Sequence, residues 1–140
     1  MTKPLTNRLA FATTILTAAL TAPVALAAHA PYHVDVHIGQ LSVNATKGQA
    51  AFNQTCAQCH GDNAQGSEKG PPLIHAIYNP GHHGNQAIYN AVLHGAQQHH
   101  WPFGDMPPQK VGFADVANIV QFIREVQVQN GIKTEQHMMR

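Results

Sequence analysis

The chain has 140 residues, which is enough for one modest domain. Its eight lysines and arginines nearly balance its seven aspartates and glutamates, so it lacks the strong positive charge typical of a nucleic-acid-binding protein. Its eleven histidines are an unusual number, whereas its two cysteines are so few that one site would use both.

The first 27 residues have the pattern of a cleaved secretory signal peptide. Lys3 and Arg8 give a positive start, an apolar run covers residues 9–22, and residues 25–27 (Ala-Leu-Ala) fit a cleavage site. A retained membrane anchor is the alternative, but the apolar run is short and rich in threonine. Cleavage would leave six basic against seven acidic residues, so we expect an exported protein with a charge near −1, counting histidines as neutral.

Residues 28–43 are predicted to form an extended arm. Polar and apolar residues alternate over residues 32–38, as in a short strand or an extended segment. The alternation places His33, Asp35 and His37 on one face. These side chains could bind a divalent metal ion, but a solvent-facing side of a flexible arm is the favoured interpretation.

The first helix is predicted to begin at Ala45, with Asn44 as its N-terminal cap. Gly48 and Phe52 lie one turn apart on the same face of this helix. A glycine inside a helix costs about 1 kcal/mol relative to alanine. A close contact with another element would therefore account for Gly48.

A C-x-x-C-H motif at residues 56–60 follows directly and indicates covalent attachment of a c-type haem. The thiols of Cys56 and Cys59 lie one helical turn apart, so each can form a thioether to one vinyl group of the same porphyrin. His60 then lies below the iron and can supply an imidazole ligand. The alternatives are a thioredoxin-like site, a structural zinc site and a small, strained disulfide loop. The first lacks the flanking β/α pattern, and the second lacks regularly spaced further ligands.

Two loops and a short helix occupy the middle of the chain. Glycine and proline are frequent after the motif, and residues 79–81 (Asn-Pro-Gly) predict a turn. A helix is predicted over residues 85–93, ended by Gly95. The second loop covers residues 99–108 and contains the one tryptophan, Trp101.

Met106 in this second loop is the predicted axial ligand opposite His60. It lies in a Gly-Asp-Met-Pro-Pro segment, far enough along the chain to reach the other haem face, and the prolines stiffen the loop. A thioether prefers ferrous iron, so this ligand pair raises the reduction potential. The rival ligands are the histidines of the same region: His75, His82, His83, His94, His99 and His100. A histidine pair would lower the potential, and an open site would bind small molecules.

The loop histidines and Trp101 are also candidates for other roles. One or two histidines could bind haem propionates, and Trp101 could do so through its indole N–H. A surface copper or nickel site at residues 82–83 or 99–100 is a further alternative, but no third ligand stands at a fixed spacing from either pair.

The last helix has the clearest periodicity. Five apolar residues recur at helical spacing, with Phe122 beside them: Val116, Ile119, Val120, Ile123 and Val126. Gly112 is a tolerable cap, and residues 130–131 (Asn-Gly) end the helix. We expect residues 132–140 to form a flexible C-terminal tail.

With these motifs, residues 44–131 resemble the small bacterial class I cytochromes c. Gly48 and Phe52 are similar to the glycine and aromatic residue of the family's first helix, and Phe122 to the aromatic residue of its last. The resemblance implies that the two helices cross at that contact. It also implies an all-α cytochrome c fold, with three to four short helices wrapped around one covalently attached haem c.

Residues 70–73 (Gly-Pro-Pro-Leu) resemble the Gly-Pro-x-Leu segment of the same family. The resemblance implies that the Pro71 carbonyl accepts a hydrogen bond from His60 Nδ1, which would orient the ring. It implies further that Leu73 packs on the haem and that Met106 is the axial methionine. The histidine-rich middle of the chain departs from the family pattern.

The resemblance implies a periplasmic one-electron carrier that cycles its haem between Fe(II) and Fe(III). Such a protein exchanges electrons with redox protein partners and catalyses no reaction of its own. It would contact the membrane only through those partners, and we expect no nucleic-acid partner. The alternatives are a haem subunit or partner of a periplasmic dehydrogenase or terminal oxidase, a sensor or peroxidase-like protein with a displaceable sixth ligand, and a histidine-rich metal-binding protein.

Overall fold

The structure is a computed structural model that describes residues 32–135. The predicted signal peptide, residues 1–27, lies outside this range, as do the start of the predicted arm and residues 136–140 of the predicted tail. No helix within residues 32–135 is long and apolar enough to cross a membrane.

Four α-helices are joined by loops: α1 (Val43–Thr55), α2 (Ala57–His60), α3 (Asn85–His94) and α4 (Phe113–Gln129). Two single 3₁₀ turns lie between α2 and α3, at Asp62–Ala64 and Ala76–Tyr78. The described part of the chain contains no strand, and only Ala96 and Met106 pair as in an antiparallel sheet. The prediction of an all-α fold with three to four short helices is therefore confirmed.

Helices α1 and α4 cross at Gly48. A Cβ at position 48 would collide with the backbone carbonyl of Asn118 on α4, so only glycine permits this approach. One turn later, the buried rings of Phe52 and Phe122 lie 5.7 Å apart between centroids. The predicted contact between the two helices is thus present, and it accounts for a glycine inside α1.

The N-terminal cap of α1 differs from the prediction. The helix begins at Val43, and the hydroxyl of Ser42 accepts a hydrogen bond from the Ala45 amide at 3.2 Å. The predicted cap, Asn44, is instead an exposed residue of the first turn. Both residue types cap helices well. Ser42 is selected because its backbone and hydroxyl also bind Glu125 on α4.

The predicted arm is extended over its described part, and its backbone is hydrogen-bonded to the end of α4. The His37 amide donates to Asn130 Oδ1 at 2.9 Å, and Asn130 Nδ2 donates back to the His37 carbonyl at 2.7 Å. Val36 and Ile38 pack against the core, whereas Asp35 and His37 are exposed. The alternation along the arm therefore separates a face that packs on the core from a face that is exposed to solvent. The described part of the arm is extended but forms no β-strand.

The main core lies around α1 and α4 and also contains residues of the loops. Its buried members are Ala45, Phe52, Cys56, Ala64, Ile74, Ile119, Phe122, Ile123 and Val126. Ile132, at the start of the predicted tail, packs against this cluster. A smaller cluster of Val92, Val116 and Val120 joins α3 to α4. The two clusters leave a cleft between them and the loops.

Two polar side chains of α4 hold the loop between α2 and α3. Gln127 is 1% exposed and donates to the carbonyls of Leu73 at 2.9 Å and Tyr78 at 3.0 Å. Arg124 donates to the Tyr78 carbonyl and to Asn85 Oδ1, both at 2.8 Å. The helical periodicity did not indicate these contacts, because it identifies which face is buried and not which backbone groups require donors.

Candidate haem-binding site

The cleft beside the core contains every residue that the sequence predicts for the site. It consists of two adjoining cavities of about 340 and 250 Å³. The larger is lined by Cys56, His60, Pro71, Leu73, Trp101 and Met106, among others. The smaller shares four of these residues and adds Cys59. The fold thus brings side chains that are up to 50 positions apart in sequence to one apolar cleft.

The two cysteines lie on consecutive helical turns at the floor of the cleft. Cys56 lies at the junction of α1 and α2, where its amide donates to the Phe52 carbonyl at 2.7 Å. Burial, with a smaller effect of Cys59, raises the pKa of Cys56 to about 11. Reactive C-x-x-C thiols have a lowered pKa instead. This raised pKa, together with the absence of a strand before the motif in residues 32–55, argues against a thioredoxin-like redox centre.

His60 is oriented by the loop opposite. Its Nδ1 lies 2.9 Å from the Pro71 carbonyl oxygen, so the bond expected from the family resemblance is present. A carbonyl can only accept, so Nδ1 carries the proton and a neutral ring keeps its lone pair on Nε2. Burial lowers the pKa of His60, and the bond to Pro71 opposes this effect. The ring is thus prepared as a neutral imidazole, which is the form that binds a metal.

The loop after α2 is held against the motif by bonds that the sequence did not reveal. Ser67 Oγ donates to the Cys59 carbonyl at 2.5 Å, and the Gly66 amide donates to the His60 carbonyl at 2.6 Å. A Cβ at Gly70 would lie 2.8 Å from the Cys59 carbonyl oxygen. This close approach places Pro71 within reach of His60. Ser67 has no distinctive spacing, so pattern reading could not have identified it.

Met106 is held by backbone pairing with the segment that follows α3. The Met106 amide donates to the Ala96 carbonyl at 2.8 Å, and the Ala96 amide donates to the Met106 carbonyl at 2.9 Å. The Asp105 carboxylate accepts from the Gln98 amide at 2.9 Å. These bonds, and not only the two prolines after Met106, fix the loop. The half-buried Met106 side chain packs against the Val92 cluster.

Trp101 places a buried N–H in the wall of the cleft. Its Nε1 has no hydrogen-bond acceptor among the described residues. Burial raises the pKa of the Tyr78 hydroxyl to about 12, and the nearby Trp101 indole N–H opposes this effect. The indole N–H does not have hydrogen-bonding geometry to this hydroxyl or to any other described group. Buried N–H groups almost always have a partner. This donor therefore suits an anionic group within the cleft, such as a propionate.

The rival histidines divide into two groups. His83, His99 and His100 line the larger cavity, whereas His75, His82 and His94 are not among its lining residues. The His75 ring lies 5.2 Å from the Trp101 ring, and His94 is exposed at the end of α3. The pKa of His83 is lowered, mainly by burial. The hydrogen bond to the Ile77 carbonyl raises the pKa, whereas the positive charges of His82, His99 and Arg124 lower it further.

The donor set of the cleft fits a covalently bound haem. Two thiols one turn apart, a neutral imidazole, a thioether and an N–H without an acceptor all line a mostly apolar space, with further histidines and glutamines in its lining. The walls are formed by side chains such as Phe52, Val92, Ile119 and Ile123. A porphyrin needs this combination of apolar contact and few polar groups.

Comparison with known proteins supports the same identification. The family model described as Cytochrome c matches residues 45–127, which include both cysteines, His60 and Met106. A comparison with curated protein sequences found no match. Members of the matched family bind haem c covalently through their cysteines and carry electrons. The predicted family, fold and cofactor are confirmed: the chain belongs to the cytochrome c family and is a haem-based electron carrier.

Proposed function

We propose that this protein is a periplasmic one-electron carrier whose haem iron is bound by His60 and Met106. Family membership already makes it a haem-based electron carrier. The proposal adds the two axial ligands, the compartment and the class of partner. The observation that carries it is that His60 and Met106 line the same cleft while each is held by backbone hydrogen bonds.

When bound, the haem supplies an Fe(II)/Fe(III) couple whose potential depends on the axial ligands. Cys56 and Cys59 would hold the porphyrin through thioethers, and His60 would offer Nε2 to the iron. The bond to Pro71 keeps the imidazole in one orientation, and the pairing of Met106 with Ala96 does the same for the thioether loop. Ligands held in this way need not move between oxidation states, which suits repeated one-electron transfer.

The apolar walls of the cleft support a carrier without a reaction of its own. Phe52 and Ile119 are 1% exposed, and Val92 is 4% exposed, so these walls offer a porphyrin apolar contact. With Met106 as sixth ligand, no position is left for a substrate. This arrangement favours the electron carrier over the sensor or peroxidase-like alternative.

The predicted signal peptide at residues 1–27 supports the periplasm as the compartment. We propose that the protein exchanges electrons there with redox protein partners, and that it meets the membrane only through them. Its nearly balanced charge is consistent with protein partners and gives no basis for nucleic-acid binding. Fractionation of the expressing cell tests the compartment: haem-loaded protein confined to the cytoplasm would contradict it.

The axial ligand is tested by the near-infrared absorption band that marks a methionine–iron bond in ferric haem. The wild-type holoprotein should have this band, and Met106→Ala should lose it with a fall in reduction potential. Met138→Ala, at a methionine of the predicted tail, is the matched control and should keep both. A wild-type protein without the band, or a Met106→Ala variant that retains it, contradicts the ligand assignment.

A further test separates the carrier from the sensor alternative. Reduced wild-type protein should bind added carbon monoxide only slowly, because Met106 must first be displaced. The Met106→Ala variant should bind it rapidly. Rapid binding by wild type would indicate an open iron and would contradict the proposed function.

A further inference from the structure

Four histidines from two separate loops meet at the rim of the cleft. His82 and His83 precede α3, and His99 and His100 follow it. The Nε2 atoms of His82 and His100 lie 3.1 Å apart, and those of His83 and His99 lie 3.3 Å apart. One ring nitrogen each from His82, His83 and His100 lies within 4.8 Å of the others. The fold thus brings the pair at residues 82–83 next to the pair at residues 99–100, so that each pair gains a further ligand that local sequence spacing does not provide.

The tautomers of two of these rings are determined by their surroundings. His83 Nδ1 lies 2.8 Å from the Ile77 carbonyl oxygen, and His99 Nδ1 lies 2.8 Å from the Gln97 carbonyl oxygen. A carbonyl can only accept, so both Nδ1 atoms carry the hydrogen. In the neutral rings, two lone pairs then face each other across 3.3 Å. This arrangement is repulsive unless a proton or a metal ion lies between the nitrogens.

The separations match those of a metal site. Imidazole nitrogens bind Zn(II) at about 2.0–2.1 Å in a tetrahedron, so neighbouring ligand nitrogens lie about 3.3 Å apart. The two facing pairs have this spacing. His82, His83 and His100 together lie close enough to share one ion, whereas His99 lies outside this group of three. The bonds from Nδ1 to backbone carbonyls are also those that usually orient metal-binding histidines.

Both loops are held in place independently of the histidine rings. The amides of His82 and His83 donate to the Asn79 carbonyl at 3.1 and 2.9 Å, and Arg124 donates to the His83 carbonyl. On the other loop, Gln98 Oε1 accepts from the Gly104 amide at 2.5 Å. Ligands that are positioned in advance lose less conformational entropy when they bind an ion.

We propose that His82, His83 and His100 form a binding site for one divalent transition-metal ion, with His99 next to His83 at its edge, separate from the His60–Met106 pair. Imidazole ligands suit zinc, copper and nickel, and histidine sites have little affinity for magnesium or calcium. The proposal does not depend on electron transfer. A haem propionate is the competing occupant, because His83, His99 and His100 also line the cleft.

The test is calorimetric titration of the ferric, haem-loaded protein with Zn(II), and in parallel with Cu(II), in a buffer that does not chelate metals. Wild type should bind one equivalent, and His99→Gln/His100→Gln should weaken this binding by at least about 100-fold, since loss of an outer-sphere partner alone costs 10–100-fold. His37→Gln/His94→Gln is the matched control. It removes two exposed histidines outside the cluster and should bind as wild type does.

Spectra separate the competing explanations. Bound Cu(II) should give an electron paramagnetic resonance signal split by several imidazole nitrogens, and Met106→Ala should leave it unchanged. The haem spectrum of His99→Gln/His100→Gln should also stay unchanged, which shows that the haem site is intact. Failure of wild type to bind one equivalent, or equal weakening in the control variant, overturns the proposal. So does a changed haem spectrum in His99→Gln/His100→Gln, which would assign these histidines to the haem.

Discussion

The backbone of Gly95 lies against the carbonyl of Met106. A Cβ at position 95 would stand 2.6 Å from that oxygen, and the residue has φ +82, which few residues other than glycine adopt. Gly95 ends α3 and precedes Ala96, whose backbone pairs with Met106. The end of this helix therefore sets the position of the proposed axial ligand.

Gly95→Ala should weaken the methionine–iron bond, because the added methyl group displaces the Met106 backbone. We expect the near-infrared band to be reduced and the holoprotein to lose about 1–3 kcal/mol of stability. Gly131→Ala is the matched control, since Gly131 has φ +74 and a Cβ there would meet nothing within 4 Å. It should show the backbone strain alone, with the band intact. An intact band in Gly95→Ala would contradict this role for Gly95.

Gly48→Ala should destabilise the protein even though alanine is the better helix former. The methyl group would enter the backbone of α4 at Asn118 and push the two helices apart, which we expect to cost at least about 1–3 kcal/mol. Denaturant unfolding followed by circular dichroism measures this. Lys47→Ala, at the exposed neighbouring position, should change stability by less than about 0.5 kcal/mol. Equal stability of the two variants would show that the crossing tolerates a side chain.

Gln127→Met should destabilise the protein while preserving the size of the side chain. The Tyr78 carbonyl keeps its bond from Arg124, but the Leu73 carbonyl loses the donor observed here. A buried acceptor without a partner costs about 1–3 kcal/mol. Thermal unfolding of the holoprotein is the measurement, with the exposed Gln86→Met on α3 as control. If both variants unfold alike, the bond to Leu73 contributes nothing to stability.

Glu125 should make stability depend on pH in the acid range. Its pKa is lowered, first by the hydrogen bond from Gln121; burial opposes this effect, and the two hydrogen bonds from Ser42 add to the lowering. A lowered folded-state pKa gives stability that is fully present above the unfolded value of about 4.3 and is lost as the pH falls through the folded value.

The advantage of wild type over Glu125→Gln should therefore be largest near neutral pH and disappear in acid. Unfolding measured between neutral pH and the acid range tests this. Glu68→Gln, an exposed carboxyl in the loop after Gly66, controls for the loss of one surface charge. A difference between wild type and Glu125→Gln that does not change with pH would show that the ionised carboxylate is not what binds Ser42.

The sequence alone indicated the fold class, the family and the covalently bound cofactor. A C-x-x-C-H motif has one dominant chemistry, and Gly48, Phe52 and Phe122 resemble the residues at which the family's first and last helices cross. These features depend on residue types and on their spacing along the chain, and both can be read directly from the sequence. The resemblance of residues 70–73 to the family's Gly-Pro-x-Leu segment also predicted the bond between Pro71 and His60.

The tertiary structure decided what depends on elements distant in sequence. Ser42, and not Asn44, caps α1 because Ser42 is also held by Glu125 on α4. The two residues are 83 positions apart in sequence, so no local pattern could indicate this contact. The arm is docked because Gln129 and Asn130 offer amide groups to its backbone. The four loop histidines converge because the loop after α3 brings the chain back to the residues that precede this helix. Local sequence patterns identify the candidate residues. Which of these residues come into contact depends on helix packing, because only packing brings together groups that lie far apart along the chain.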